Sequence, residues 1–145
     1  MSAEDCAAKS RRLLEAGWNG GDFAVFDEIL VPEVVNHDPA GPGDVSGIEG
    51  QKEKARTYRT AMSDMKLTID DVVANDNTCV VRWTARGTND GELMGAPPTG
   101  SHVEVTGISI DRFNADGKVV EIWDQWDNFG FMGQLGLVPE ATAAS

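Results

Sequence analysis

The sequence contains few of the cysteine and histidine residues that bind zinc or form disulfides. Only two cysteines and two histidines occur among 145 residues, and none stands in the CxxC or Cys/His spacing of a zinc site. We therefore expect no metal. We interpret Cys6 and Cys79 as two reduced thiols of a cytoplasmic protein, with a disulfide between them as the alternative.

Long apolar runs and an excess of positive charge are also missing. No stretch approaches the ~18 apolar residues of a transmembrane helix, and the start of the chain, MSAEDCAAKSRR, lacks the apolar core of a signal peptide. The 12 basic residues stand against 24 acidic ones, which gives a net charge of −12. Because an acidic surface repels phosphate backbones and anionic lipid heads, we expect neither a nucleic-acid partner nor a membrane partner.

The motifs of nucleotide-dependent and zinc-dependent enzymes do not occur. The chain has no P-loop, no GxGxxG after a strand, no GxSxG and no HExxH. We therefore expect no cofactor. The length fits one domain over residues 1–145, with an ordered core at about 5–138 and a short polar tail.

The first half of the chain has the pattern of helices. The first helix is predicted over residues 4–17, with Ser2 as its N-cap. Asp22 is predicted to cap a second helix, which Pro32 ends, and residues 34–37 form a short extended piece. Ser46 and Glu49 have the spacing of a capping box and open a third helix.

That third helix has two kinds of side chain. Its apolar residues fall at helical spacing and are expected to face the core. They are Ala55, Tyr58, Met62 and Met65. The opposite side is expected to be solvated and carries Lys52, Lys54, Arg56 and Arg59.

From Lys66 onward the pattern changes to the period of two that is typical of strands. Strands are predicted from residue 66, over 78–87, over 101–113 and over 118–127. Helices followed by strands predict an α+β fold. A curved antiparallel sheet whose concave side is closed by the helices leaves a pocket at its open end, where ligands usually bind.

The last strand is the most informative segment. Alternation places Glu121, Trp123, Gln125 and Asp127 on one face, and Val120, Ile122, Asp124 and Trp126 on the other. We assign the first face to the pocket, so that Trp123 and Asp127 form an aromatic wall with a carboxylate that can move protons. An ordinary role for Asp127 as a turn or cap residue is the alternative. If the faces are exchanged, Asp124 becomes the candidate.

The histidines and the large apolar residues allow two interpretations each. His37 precedes a Pro-Gly loop, where it either tethers that loop, for example to Asp38, or acts as an acid or base near neutral pH. His102 is expected to be exposed. A second set of residues either packs in the core or lines the pocket, and consists of Trp18, Tyr58, Met62, Trp83, Met94 and Trp123.

Several segments, in their order and spacing, resemble the SnoaL-like polyketide cyclases. In the helical half these are residues 18–22 (WNGGD), 35–39 (VNHDP) and 47–50 (GIEG); in the sheet half they are 87–92 (GTNDGE), 97–100 (PPTG), 117–123 (GKVVEIW) and 134–136 (QLG). The resemblance runs over about residues 5–138. It implies an NTF2-like cone with three N-terminal helices that enclose a pocket. It also implies a homodimer or homotetramer built through the outer sheet face.

The resemblance further implies an activity. Characterised members close a ring in polyketide precursors by intramolecular aldol condensation, without metal or cofactor, using an aspartate in a W-x-x-x-D pattern that matches Trp123 and Asp127. It also matches His37 to the histidine of the loop before the third helix, and Trp18 to an aromatic residue near the pocket. Asn89 stands where many relatives have a histidine, and an Asn cannot shuttle protons near neutral pH.

We therefore hypothesise a cyclase that acts on a small hydrophobic or aromatic ketone or ester, with Asp127 and His37 as its acid/base residues. Trp18, Tyr58, Met62, Trp83, Asn89, Met94 and Trp123 are its expected substrate-binding residues. One alternative is an accessory protein that binds a ligand without converting it. Another is a different cone-fold enzyme, either an isomerase or an epoxide hydrolase that would use Arg82 with Asp127.

Overall fold

The computed structural model describes residues 1–138. It contains six strands, all hydrogen-bonded into one curved sheet that does not close on itself. The strands are β1 (Leu30–Asp38), β2 (Gly43–Ser46), β3 (Lys66–Ala74), β4 (Thr78–Thr88), β5 (His102–Phe113) and β6 (Val119–Trp126). Their order across the sheet is β2-β1-β6-β5-β4-β3. All neighbouring pairs are antiparallel except β1 and β6, which run parallel.

Helices cover the concave side of this sheet. They are α1 (Ala3–Arg12), α2 (Ala24–Ile29), α3 (Gly47–Ala61) and α4 (Asn128–Gln134). The chain leaves α1 as a π-helical segment, Leu13–Asn19. Arg59 of α3 closes the end of that segment, because its Nη1 donates to the carbonyl oxygens of Trp18 and Asn19 at 2.5 and 2.8 Å.

The predicted α+β fold is confirmed, and several of its details are corrected. The Ser2 cap is present, as one half of a capping box with Asp5. Asp22 does not cap α2, whose N-cap position is Phe23, and Ser46 precedes α3 without a side-chain cap bond. The short extended piece is a nine-residue strand, because β1 adds in parallel to the edge of β6. The resemblance implied three N-terminal helices, and a fourth helix, α4, follows the sheet.

Two groups of buried side chains hold the helices on the sheet. One joins α1, α2 and β1 to the sheet and includes Phe26, Val81 and Ile122. The other lies towards α4 and includes Tyr58 and Phe131. Burying one such side chain contributes roughly 1.5–3 kcal/mol. A cavity remains between the helices and the concave face of the sheet.

Helix α4 closes one side of the cone. Its Gln134 forms two hydrogen bonds with the backbone of Glu104 on β5, at 2.7 and 2.9 Å. Phe131 is 2 % exposed and packs against Tyr58 and Trp126. The helix therefore adds an aromatic wall to the cavity. None of the helices within residues 1–138 combines the length and the apolar character needed to cross a membrane.

Candidate functional site

The cavity inside the cone has an empty volume of about 960 Å³, part of which is open to solvent. Its lining is mostly aliphatic and aromatic. A few polar side chains lie among these, and they come from β1, α3, β5 and β6: Asn36, Gln51, Lys54, Ser109, Asp111 and Asp124. An apolar cavity with a few convergent polar groups is the usual form of a small-molecule site.

Asp124 of β6 lies at the centre of these polar groups. Its Oδ2 accepts hydrogen bonds from Lys54 Nζ at 2.8 Å and from Asn36 Nδ2 at 3.0 Å. Its Oδ1 accepts one from Ser109 Oγ at 2.5 Å. The carboxylate is therefore held in one orientation by donors from three different elements, while its side chain stays partly exposed to the cavity.

Lys54 supplies the positive charge opposite Asp124. Its Nζ also lies 2.8 Å from Oδ2 of Asp38, and its side chain is 6 % exposed. Burial is the largest single influence and opposes the charge, but the two carboxylates together outweigh it and raise the pKa of Lys54. One ammonium between two carboxylates leaves the cluster with one negative charge.

Asp38 is the fully buried anchor of this cluster. Its Oδ1 accepts from the indole Nε1 of Trp126 at 2.7 Å and from the backbone N–H of Gly41 at 3.2 Å. The first bond fixes a cavity-lining ring, and the second fixes the loop that follows β1. Asp38 thus connects the position of Lys54 to the shape of the cavity.

The aromatic wall of the cavity is built around Tyr58. Its ring lies 6.0 Å from that of Trp126 in an edge-on arrangement and 6.3 Å from that of Trp18. Burial, with a smaller contribution from the charges of Asp38 and Asp124, raises the pKa of Tyr58 to about 12. The phenol therefore stays protonated at any ordinary pH.

The structure divides the predicted binding residues into two groups. Trp18, Tyr58, Met62 and Trp83 line the cavity. Met94 does not: it is 63 % exposed, in a loop where its φ is +46°. Asn89 is buried outside the cavity, where its amide donates to the carbonyls of Ala61 and Gly91 and accepts from the backbone N–H and the hydroxyl of Thr99. Asn89 thus ties down the loop that precedes β5.

The assignment of Trp123 and Asp127 to the pocket-facing side of β6 is wrong. From Glu121 onward the alternation holds, but Ile122, Asp124 and Trp126 face the cavity, and Trp123 is 39 % exposed on the outer side of the sheet. Val120, predicted on the face of Ile122, is instead exposed, because the register between β5 and β6 shifts there. His37 stacks on Trp123 there, with ring centroids 4.1 Å apart. Its Nδ1 and Nε2 each lie 2.9 Å from a carboxylate, that of Asp44 and that of Glu121.

Asp127 and Arg82 also lie away from the cavity. Asp127 is the N-cap of α4, and its Oδ1 accepts from the backbone N–H of Gly130 at 2.8 Å. Arg82 is exposed on β4, with Asp70 at 3.8 Å as its partner. The two residues that the epoxide hydrolase hypothesis needed therefore do not converge. Within residues 1–138, no group of three or more His, Cys, Asp or Glu side chains is placed to hold a metal ion.

The family model for SnoaL-like polyketide cyclases matches residues 8–135. The chain belongs to the SnoaL-like polyketide cyclase family. No curated protein matches the sequence.

Similar solved structures agree with this membership. IdmH of Streptomyces antibioticus, a proposed polyketide cyclase, is 34 % identical, with a TM-score of 0.78 over 90 % of this chain and 98 % of its own. TsrD of Streptomyces laurentii is 30 % identical, with a TM-score of 0.82 over 95 % and 99 %. AclR of Streptomyces galilaeus, a proposed hydroxylase, is 27 % identical, with a TM-score of 0.82 over 97 % and 87 %. The NTF2-like cone that the resemblance implied is thereby confirmed.

Sequence reasoning about this SnoaL-like chain missed most of the polar cluster. Lys54 was assigned to a solvated side of α3, although it lies four residues before Tyr58 and three after Gln51, on the same helical stripe. That spacing was the available signal. For Asp124, the signal was the apolar character of its strand neighbours Ile122 and Trp126, which suits an inner face better than Glu121 and Gln125 do.

Proposed function

We propose that this protein closes a ring in a polyketide-type ketone or ester by an intramolecular aldol reaction, with Asp124 as the base. The observation that carries the proposal is the oriented carboxylate of Asp124 on the floor of an apolar, aromatic-lined cavity. Family membership supports the cyclase class. The similarity to IdmH, a proposed polyketide cyclase, supports the same class of substrate.

The first step is the removal of a proton from a carbon next to a carbonyl. Asp124 takes that proton, and Lys54 with Asn36 and Ser109 keeps the carboxylate aimed at the substrate. A carboxylate that acts in an apolar cavity, between fixed donors, needs little reorganisation during the transfer.

The second step forms the carbon–carbon bond. The enolate attacks another carbonyl of the same molecule, and the aromatic wall formed by Trp18, Tyr58 and Trp126 holds the two ends together. Folding the substrate in this way makes the step unimolecular and supplies much of the rate. The oxygen of the attacked carbonyl then takes up a proton.

A panel of polycyclic ketones and esters tests the proposal. It includes a naphthalene with a methyl acetate arm and a 3-oxobutyl arm on neighbouring ring carbons, called the naphthalene keto ester below. Ligands are first found by thermal stabilisation and by Trp fluorescence. The product and the substrate have equal mass, which mass spectrometry checks. NMR then distinguishes the cyclic alcohol from the substrate.

Two matched variants decide which carboxylate acts. We expect Asp124→Asn to abolish ring closure and Asp127→Asn to retain it, since Asn also caps a helix well. Loss of turnover in Asp127→Asn alone would instead support Asp127 as the acid/base residue, as the sequence predicts. Tight binding by the wild type without any product would support the accessory-protein alternative, which the hydrogen bonds to both oxygens of Asp124 also suit.

We also propose that the protein forms homo-oligomers through the outer face of the sheet. Exposed apolar side chains on this face support the proposal, among them Ile108, Val120 and Trp123. Light scattering on a size-exclusion column measures the mass. We expect a dimer or tetramer for the wild type and a smaller species for Trp123→Glu, and a monomeric wild type contradicts the proposal.

A further inference from the structure

A second carboxyl group, that of Asp111, lies on the inner face of β5. Asp111 is 6 % exposed and lines the cavity. It stands directly opposite Cys79 on β4 and Ile122 on β6. Its Oδ2 lies 2.6 Å from the hydroxyl of Ser10 on α1. The ring-closing steps described above do not use it.

Asp111 differs from Asp124 in its charged partners. In the part of the chain that the structure describes, no lysine, arginine or histidine forms an ion pair with Asp111. The titratable groups near it are Asp124 on β6 and Cys79 on β4, with Cys6 and Arg11 of α1 near that thiol. The guanidinium of Arg11 is half-exposed to solvent and does not offset the burial of the Asp111 carboxyl, which therefore favours its neutral form.

The balance of these influences raises the pKa of Asp111 to about 7. Burial is the largest cause, the hydrogen bond with Ser10 opposes it, and the negative charge of Asp124 adds to it. Asp124, in contrast, faces the ammonium of Lys54 at 2.8 Å. One carboxyl group of the cavity is thus shifted towards its neutral form while the other lies against a cation, and two carboxyl groups in such different environments can supply an acid and a base.

The sheet register sets the distance between these two groups. Asp124 is paired with Ser109, and Asp111 is the next residue of β5 that points to the same face. Such diagonal neighbours lie about 7–8 Å apart along the sheet surface. Ring closure needs a base at one carbon and a proton donor at the oxygen of another carbonyl, and this separation suits two groups on opposite sides of one forming bond.

We propose that Asp111 is the acid of the cavity and donates a proton to the oxygen of the carbonyl that the enolate attacks. This role rests on the proposed function. Asp124 takes the proton of the breaking C–H bond while the new C–C bond forms and the carbonyl π electrons move to oxygen. The O–H bond of Asp111 then breaks, and its proton completes the alcohol. After product release the proton on Asp124 passes through water to Asp111, so that substrate and product are isomers and no oxidant is consumed.

The pH dependence of ring closure by the naphthalene keto ester tests this role. We expect the wild-type rate to fall as the pH rises through the pKa of Asp111. Asp111→Asn should be slower by about a hundredfold or more and should lack this decline. Ser10→Ala should move the decline to higher pH, because the Ser10 hydrogen bond lowers the pKa of Asp111. Asp71→Asn on β3 is the control and should keep the wild-type profile.

A second measurement needs no substrate. A carboxyl whose pKa is raised from 3.8 to about 7 by folding holds one more proton in the folded state than in the unfolded state between those values. The free energy of unfolding therefore falls as the pH rises from 3.8 to about 7. Asp111→Asn removes this loss, so its stability relative to wild type should increase between those two pH values, as measured by urea unfolding.

The outcomes separate the two proposals. No ring closure by the wild type on any member of the panel overturns the proposed function. Ring closure that Asp111→Asn performs at the wild-type rate and pH profile overturns the role of Asp111 alone. A difference in stability between Asp111→Asn and wild type that does not change with pH also overturns that role, whatever the activity.

Discussion

The two faces of β6 carry the same kinds of residue in different surroundings. Each face has a tryptophan and an acidic side chain: Trp126 with Asp124 inside, and Trp123 with Glu121 outside. Inside, the acid is paired with a buried lysine, and the indole donates to the buried Asp38. Outside, the acid is paired with a histidine, and the indole stacks on that histidine.

This difference shows that the surroundings, and not the residue types, set the chemistry of each face. An ion pair shielded from water keeps most of its electrostatic strength, whereas an exposed one is weakened by solvent and salt. The inner pair can therefore hold the Asp124 carboxylate in one orientation, as the proposed function requires. The outer pair can act only as a weak, pH-dependent brace between β1, β2 and β6.

The largest effect is expected from Lys54→Met, which removes the inner cation. The change leaves Asp38 and Asp124 buried without a counterion, and breaking a buried pair in this way costs about 3–5 kcal/mol of folding free energy. Urea unfolding at neutral pH measures the loss. Lys52→Met on the same helix is the control, because Lys52 pairs with the exposed side chains of Asp27 and Glu49. Equal losses of folding free energy in the two variants would show that the inner ion pair stabilises the fold no more than an exposed one.

A smaller effect is expected where β6 ends and α4 begins. Asp127→Ala removes the N-cap of α4 and should cost about 1 kcal/mol of folding free energy. Asp127→Asn should cost less, since Asn caps nearly as well. Because α4 carries Phe131 of the aromatic wall, thermal unfolding is measured together with the affinity for a panel ligand. A loss of affinity in both variants would show that the carboxylate itself contacts the ligand.

Much of the scaffold could be predicted from the sequence because it depends on local patterns. The change from helical spacing to a period of two gave the α+β class, and Trp18, Tyr58, Met62 and Trp83 were expected at the cavity wall that they line. The parallel pairing of β1 with β6 could not be foreseen, since it joins residues 86 to 89 positions apart through tertiary contacts.

The candidate site could be predicted only in part, for a different reason. Alternation divides β6 into two faces but does not say which one is inside, and each face offers a tryptophan and an acid. The assignment depends on partners from other elements, such as Lys54 for Asp124 and Asp44 for His37. Asp111 was missed because a single aspartate inside a long strand gives no signal until Ser10 and the cavity are in place.

The smallest effect is expected from the outer face, where His37 responds to pH. Both ring nitrogens of His37 face carboxylate oxygens, and both can donate only when the imidazole is protonated. The pKa of His37 is raised above its ordinary 6.5. The hydrogen bond with Asp44 is the largest cause and the one with Glu121 the next, and together they outweigh the opposing effect of burial. The protonated form is thus favoured by folding.

The stabilisation by His37 is therefore complete below pH 6.5 and disappears as the pH rises through the raised pKa. We expect wild type to be more stable than His37→Gln at about pH 5 and equal to it well above neutrality. Unfolding at several pH values measures the difference, with the exposed His102→Gln as the control. Because salt screens exposed pairs, the difference should shrink at high ionic strength, whereas the effect of Lys54→Met should persist. A pH-independent difference for His37→Gln would show that the imidazole is neutral and that only its stacking on Trp123 braces the outer face.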